Sequence, residues 1–308
     1  MSALGELQRL RTSRGDRARK RDNKAAFGFL APWFAGLVLI TAGPVAVSLY
    51  LAFTNYNLIQ DPTFTGLANF RRMLHDDRLH HALGVTFTYV LVSVPLQLAV
   101  ALGLALLLDR GLRGLALYRS AFYLPSLLGS SVAIAVLWRQ IFGDQGLINQ
   151  ALGLFGIHGR SWISDPSTAL STLVVLNVWT FGAPMLIFLA GLRQIPAMYY
   201  EAASVDGAGR WTQFRRITLP LLSPIIFFNL VLQIIHAFQS FTSAFVVSSG
   251  SGGPADSTLF YTLYLYQRGF GQFQMGYAAA MAWLLVVIIG AFTAINFFAS
   301  KYWVFYGD

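Results

Sequence analysis

The stretch Leu192-Arg-Gln-Ile-Pro196-Ala-Met-Tyr-Tyr-Glu201-Ala202-Ala203-Ser-Val-Asp206-Gly207-Ala-Gly209-Arg210-Trp-Thr-Gln-Phe-Arg215-Arg216-Ile217-Thr-Leu219-Pro220 is a polar interval between the fourth and fifth long apolar runs of the chain. Pro196 suits a first helical position, where its missing N–H costs nothing, and the run to Val205 predicts a short helix. Asp206-Gly207 stops it, because glycine accepts the left-handed conformation that follows a helix C-terminus. A second short helix is predicted over about Trp211 to Ile217, ending before Leu219-Pro220. Helix, glycine turn, helix make a compact knob between two spans. The plainer alternative, an amphipathic helix lying on a membrane surface, accounts for neither the glycine spacing nor the Leu-Pro ending.

Working outward, 56% of the 308 residues are hydrophobic and 11% are charged, against roughly 25% charged in soluble domains. That deficit predicts a membrane protein. Six runs poor in charge, at about 27–53, 83–108, 120–138, 168–192, 221–247 and 276–299, reach or approach the roughly 20 residues a helix needs to cross a bilayer. The fold class expected is an all-α membrane protein of six transmembrane helices: a basic N-terminal tail 1–26, a six-span domain 27–300 containing the 193–220 knob, and a C-terminal tail 301–308. The first run is too long for a signal peptide's apolar segment of roughly 7–15 residues, so a retained span is expected. Of the 22 Lys and Arg, 16 fall on the face holding both termini and the knob, and six on the other. The positive-inside rule then puts both termini in the cytoplasm. Pro44, Pro95, Pro125, Pro184 and Pro224 interrupt spans, and Gly103, Gly182, Gly191 and Gly290 are candidates for close helix contact.

Lysine occurs at positions 20, 24 and 301 alone, none in a glycine-rich loop, so the chain has no phosphate-cradling P-loop. It has no cysteine, hence no thiolate nucleophile or disulfide. His236 is the one Asp, Glu, Lys, Arg or His in the six spans. Proton-coupled carriers rely on intramembrane charges, which disfavours a stand-alone carrier driven by an ion gradient. The spans offer no paired carboxylates or metal-spaced histidines either, so no catalytic residue, no metal site and no enzyme are expected. The fifth span carries Asn229, Gln233, His236, Gln239 and Ser240; positions 229, 233, 236 and 240 share one helix face. Asn177 and Thr180 on the fourth span form a comparable patch. Amides and hydroxyls beside aromatic rings suit a neutral polyol, but the same amides also serve to hold helices together. Leu74-His75-Asp76-Asp77-Arg78-Leu79-His80-His81 reads as a solvated turn in a loop rather than a zinc site, and His158 is isolated.

Glu201-Ala202-Ala203, Gly207, Ile217 and Leu219-Pro220 together match, in spacing and identity, the EAA signature of ATP-binding-cassette importer permeases. Ala31-Pro32 to Tyr56, Phe64-Thr-Gly66-Leu67-Ala-Asn69-Phe70, Leu117 to Pro125, Leu189 to Leu192, Ser249 to Thr258 and Gly276 to Ala280 resemble the carbohydrate branch, as the first permease of a pair of the maltose or glycerol 3-phosphate type. Ser249 and Ser251 stand where that branch usually has threonine and glycine. The resemblance covers about residues 27–300 and implies a type I importer (MetI-like) fold. It also implies a second homologous permease, two ATPase subunits binding ATP and magnesium, and an extracytoplasmic solute-binding protein in a bacterial or archaeal plasma membrane. This chain itself would hold no cofactor; membrane lipid surrounds it and no nucleic acid is expected. In the family the first knob helix couples to the ATPase. Glu201 would anchor it, Ala202 and Ala203 give the close-approach surface, Asp206-Gly207 the turn, and Arg215 and Arg216 meet acidic ATPase residues. The substrate path is expected at Asn177, Thr180, Asn229, Gln233, His236 and Ser240. The solute implied is a di- or oligosaccharide, with glycerol 3-phosphate or a phosphodiester as the alternative, and the 248–275 segment is either an interfacial aromatic belt or a surface for the binding protein.

Overall fold

The computed structural model describes residues 27–110, 114–129, 131–157 and 159–305. The basic tail, Arg113, His158 and the last three residues lie outside them. The described residues are helical, with a single bridge between Thr54 and Phe64 as the one piece of extended pairing. Four helices are long and apolar enough to cross a membrane, and six spans result if each of two bent pairs counts as one.

Helix α1 (Phe27–Leu51) is apolar but unburied within the chain. A short α2 (Ala68–Met73) precedes α3 (Asp77–Leu108), the central element. The third span is the pair α4 (Leu115–Leu128) and α5 (Val132–Ile141), bent by 97°; after α6 (Leu147–Gly153), the fourth is α7 (Ala169–Trp179) and α8 (Gly182–Leu192), bent by 42°. The knob helix α9 (Ala197–Val205) leads to α10, which runs through Arg210–Gln213, Phe214–Thr218 and Leu219–Phe238. After a break come α11 (Thr242–Val247), α12 (Tyr261–Tyr266) and α13 (Met275–Trp303). Alanines 82, 101 and 105 of α3 are fully buried, and these small side chains let α7, α8 and α10 approach it closely. Phe188 and Met185 of α8, Leu222 and Phe238 of α10, and Tyr261 of α12 fill the surrounding core.

Several expectations are corrected. Pro196 is the residue before α9, with an extended ψ of 133°, not its first helical residue. The second knob helix does not stop before Leu219-Pro220. A π-type turn at Phe214–Thr218 carries it unbroken into the fifth span. A proline removes the bond to the carbonyl four residues back and crowds it. For Pro220 that carbonyl is Arg216, inside the widened turn. Pro44 follows the same rule, two residues after the π-type turn Leu37–Ala42. Gly182 and Gly191 do mark close contacts: a methyl group there would collide with the Phe122 carbonyl and with Ile225, respectively. Gly103 and Gly290 instead face open space.

The segments linking successive spans opposite the knob are tied together tightly. The Asn69 amide donates to the carbonyls of Ala52 (2.9 Å) and Thr54 (2.8 Å), which closes the 64–70 motif onto the end of α1. The 74–81 stretch is not a solvated turn, since α3 begins at Asp77 and Asp76 caps it, accepting the Leu79 N–H at 3.1 Å. The nearly buried Asp76 carboxylate also accepts the hydroxyls of Tyr264 and Tyr277, each at 2.8 Å, and lies 3.3 Å from the Arg268 guanidinium. Arg72 stacks 4.3 Å from the Tyr277 ring centroid. Arg78 forms a two-pronged pair with Asp256 at 2.8 Å. No group of three metal-ligating side chains occurs among the described residues.

Burial alone would push the Asp76 carboxyl up, but hydrogen bonds from Tyr277, Tyr264 and Leu79 and the charge of Arg268 outweigh it and hold it below its ordinary value. A carboxylate depressed in the folded state adds stability above its unfolded pKa of about 3.9, and loses that contribution as pH falls through the folded value. Asp76→Asn is expected to cost about 1.5–3 kcal/mol at pH 7. Thermal unfolding in detergent checks this, with the gap between variant and wild type closing below about pH 3.9.

Candidate functional site: a knob and a cavity at the helix breaks

The knob is built as its sequence dictates. Gly207 has φ +79°, its N–H bonds the Ser204 carbonyl at 3.1 Å, and the Ala208 N–H bonds the Ala203 carbonyl at 2.8 Å. These two bonds form the Schellman C-terminus that satisfies the last carbonyls of α9. The Gln213 amide then donates to Ser204 Oγ (2.9 Å) and the Ala208 carbonyl (3.1 Å), clamping α10 onto α9. Glu201, Ala202, Asp206, Arg215 and Arg216 are exposed, and Ala203 is partly covered. Among the described residues neither Glu201 nor either arginine is in an ion pair; Arg193 is, 3.7 Å from Asp109. Val205 and Trp211 are 88% and 71% exposed, which gives the knob an apolar surface as well as free charge. A cleft of about 490 Å³ between its helices is lined by Ala203, Asp206, Gly207 and Arg216 among others.

The second feature is a cavity of about 450 Å³ at the level where three spans break. α4 gives way to α5 around Gly129, α7 to α8 at Thr180-Phe181, and α10 to α11 at Gln239–Phe241. Of the expected path residues, Asn177, Thr180, Gln233, His236 and Ser240 line it. Asn229 does not. It is fully buried one turn nearer the knob, with its amide N–H bonding the Ile225 carbonyl of its own helix at 3.2 Å. Its 229/233/236/240 face therefore meets the cavity only at one end, and Ser240 reaches it from beyond the end of the helix.

Residues the sequence reading missed also line it: Tyr89 and Gln97 from α3, Ser126 from α4 and Gly129 just after it, the apolar Leu176 from α7 with Ala183 and Pro184 from α8, and Phe241, Thr242 and Ser243 after the α10 break. Gln239, off the polar stripe, joins them. Ser126 repairs the broken backbone. Its hydroxyl donates to the Thr180 carbonyl at 2.8 Å and accepts the Ala183 N–H at 2.9 Å. The Gln97 amide nitrogen donates to the Thr180 carbonyl (3.2 Å) and hydroxyl (3.0 Å), while its oxygen accepts from Asn177 at 3.3 Å. The cavity thus presents amides, hydroxyls, an imidazole and aromatic rings, and no Asp, Glu, Lys or Arg among its described lining residues.

Ser126→Ala removes a hydroxyl that satisfies two backbone groups at once. It is expected to cost about 0.5–1.5 kcal/mol, the worth of an ordinary hydrogen bond, because Gln97 still donates to the Thr180 carbonyl and Ala183 lines the cavity; the unfolding midpoint in detergent measures it. Ser126→Thr, which keeps the hydroxyl, is expected to recover most of the loss.

Residues 82–301 match the family described as "Binding-protein-dependent transport system inner membrane component". The chain is 52% identical over 292 residues to the probable ABC transporter permease protein YesP of Bacillus subtilis, covering 94% of each chain. It is 32% identical to the lactose transport system permease protein LacF of Rhizobium radiobacter, covering 89% of this chain and 93% of the relative. It is also 32% identical to the arabinooligosaccharides transport system permease protein AraP of Bacillus subtilis, covering 86% and 85%. A solved bacterial ABC transporter for import of the acidic polysaccharide alginate has the same fold, with a TM-score of 0.78 at 21% identity, covering 94% of this chain and 98% of that one. The chain belongs to the binding-protein-dependent transport system inner membrane component family, as a multi-pass ABC transporter permease and not an enzyme.

Proposed function

We propose that this chain is the permease subunit of an ATP-driven importer of di- or oligosaccharides, forming half of the translocation path. The observation that carries this reading is the cavity at the helix breaks, polar yet free of charged side chains among its described residues, in a chain related to permeases for lactose and arabinooligosaccharides. Neutral hydroxyl-rich solutes exchange hydrogen bonds with amides and hydroxyls at little desolvation cost. A glycerol phosphate or phosphodiester would bring an anion into a site without a cation, at a cost of several kcal/mol unless it is paired. An ion-gradient carrier would need a titrating carboxylate there.

The rest of the assembly follows from the same reading. A second homologous permease supplies the other half of the path, two ATPase subunits hold ATP and magnesium, and a solute-binding protein delivers the sugar. The knob seats on an ATPase through Glu201, Ala202 and Ala203, with Asp206-Gly207 forming the turn and Arg215 and Arg216 meeting acidic side chains. The distribution of Lys and Arg supports a plasma-membrane topology with the knob and both termini cytoplasmic. It supports equally a chain organised as a basic tail to residue 26, a permease domain over 27–300 and a short C-terminal tail.

The test is purification from native membrane followed by reconstitution. ATP-dependent uptake of lactose, arabinotriose or maltotriose by the recovered complex is expected, and a chain that moves solute alone without ATP would sink the proposal. Gly207→Asp is expected to lower uptake about tenfold, chiefly through a new charge at the docking face, since Asp tolerates the positive φ there better than most side chains. ATP hydrolysis measured beside uptake should persist. Gln233→Leu should lower uptake about tenfold by removing one or two sugar contacts of about 1 kcal/mol each, with the complex still co-purifying; loss of assembly would make the residue helix glue instead.

A further inference from the structure

Four aromatic side chains form a continuous ladder from the cavity to the surface at the end opposite the knob. Phe241 lines the cavity. Its ring centroid lies 5.3 Å from Phe245 and 5.2 Å from Tyr266; Phe245 and Tyr266 are 5.5 Å apart, and Tyr266 stacks on Phe270 at 5.2 Å with 29° between the planes. Exposure rises along the ladder, from partly buried Phe241 and Phe245 to Tyr266 at 38% and Phe270 at 58%. The aromatic-rich segment that supplies the outer rungs is otherwise sorted differently. Phe260, Tyr261 and Tyr264 are buried in the core, so these outer rungs are not the remainder of a packing cluster.

The local backbone sets the rungs side by side. A π-type turn at Gln267–Gly271 follows α12 directly, and Tyr266 and Phe270, four residues apart, keep one face across it. Such turns recur at functional sites. The Gln267 amide holds the segment in place by donating to the Gly250 carbonyl at 2.7 Å. At the inner end, the Ser240 and Ser243 hydroxyls pair at 3.2 Å beside Phe241. The composition is also wrong for a headgroup belt, which favours Trp and Tyr with polar tips; three of these four rings are Phe.

We infer that this ladder is a sugar-stacking track, along which the pyranose rings of an oligosaccharide pass from the surface opposite the knob into the cavity. The inference rests on the sugar-importer reading and adds the route of entry. Flat apolar ring faces match the C–H faces of a sugar. Because stacking has no preferred hydroxyl pattern, the track would hold the chain while allowing it to slide, leaving selection to the polar groups of the cavity.

The absence of native cysteine makes the track directly testable in the reconstituted transporter. Phe241→Cys, Tyr266→Cys and Phe270→Cys are each treated with a charged, water-soluble methanethiosulfonate and with an apolar maleimide, and labelling is read on this chain. Reaction of all three with the charged reagent, slowed by millimolar maltotriose or arabinotriose, is expected. Reaction with the maleimide alone would make the ladder a lipid-facing surface and overturn the inference, as would failure of both reagents to reach the three positions in the complete complex, the mark of a face covered by the second permease. Uptake supplies the second arm. Tyr266→Leu keeps apolar bulk without a flat face and should lower trisaccharide uptake about two- to tenfold, the worth of one aromatic contact, while Tyr266→Phe stays near wild type. Equal uptake by the Leu and Phe variants overturns stacking while leaving the importer reading intact. A wild-type complex that moves no sugar overturns that reading and the track with it, even where the charged reagent still enters.

Discussion

In hydrocarbon every backbone N–H and C=O needs a partner within the protein, and this chain repeatedly breaks the helices that would supply one. The breaks are not scattered. Gly129, Thr180 and Gln239–Phe241 lie along the wall of a single cavity, and at two of these breaks freed backbone groups are met by side chains from other elements. Ser126 bridges the Thr180 carbonyl and the Ala183 N–H, Gln97 shares the same carbonyl, and the Thr262 hydroxyl takes the Ser240 carbonyl. The polar character of the cavity is thus inseparable from the way the helices are broken. The groups that repair the backbone are also the groups a passing solute would meet.

Prolines act differently at two of the three π-type turns described. At Pro44 and Pro220 the ring follows a widened turn by two residues, and the helix continues. Widening the turn moves the crowded carbonyl aside, so the chain keeps a long helix where sequence reading expected an end. For the fifth span the consequence is mechanical. Residues 210–238 form one rod of roughly 40 Å, joining the knob at one end to Gln239 and the cavity at the other.

This also marks what was legible in the sequence. The knob, its glycine turn and the six apolar runs follow from local rules: a positive φ needs glycine, and a span needs length and apolarity. Five of the six expected path residues reach the cavity because helix periodicity groups 233 with 236 and because Asn177 and Thr180 flank a break. Asn229 shares the periodic face yet lies a turn too deep, which spacing along one helix does not reveal. Gln97 and Ser126 were illegible for a related reason. Each is an isolated polar residue in an apolar run, and its partners lie 83 and 54 positions away along the chain. Asp76 looked like a solvated residue because charge usually means exposure; its two tyrosines come from a segment nearly 200 residues distant.

The two ends of the molecule are built on opposite electrostatic plans. Opposite the knob, Asp76, Asp256, Arg78 and Arg268 are spent on one another across two linking segments. Removing Asp76 would therefore loosen the start of α3, α12 and α13 together. At the knob, Glu201, Arg215 and Arg216 carry no ion pair among the described residues, and Val205 and Trp211 stand exposed. A solvated single charge gains little from pairing within its own chain, but opposite charges brought together at a docking face fix register and orientation. The rod runs from the open knob to the cavity and stops short of the tied far end, so a displacement applied at the knob would meet that anchored end. It is taken up where the rod stops, at the Gln239–Phe241 break in the cavity wall. In the transport cycle proposed for this permease, that is the point at which ATP-driven motion would reach the solute.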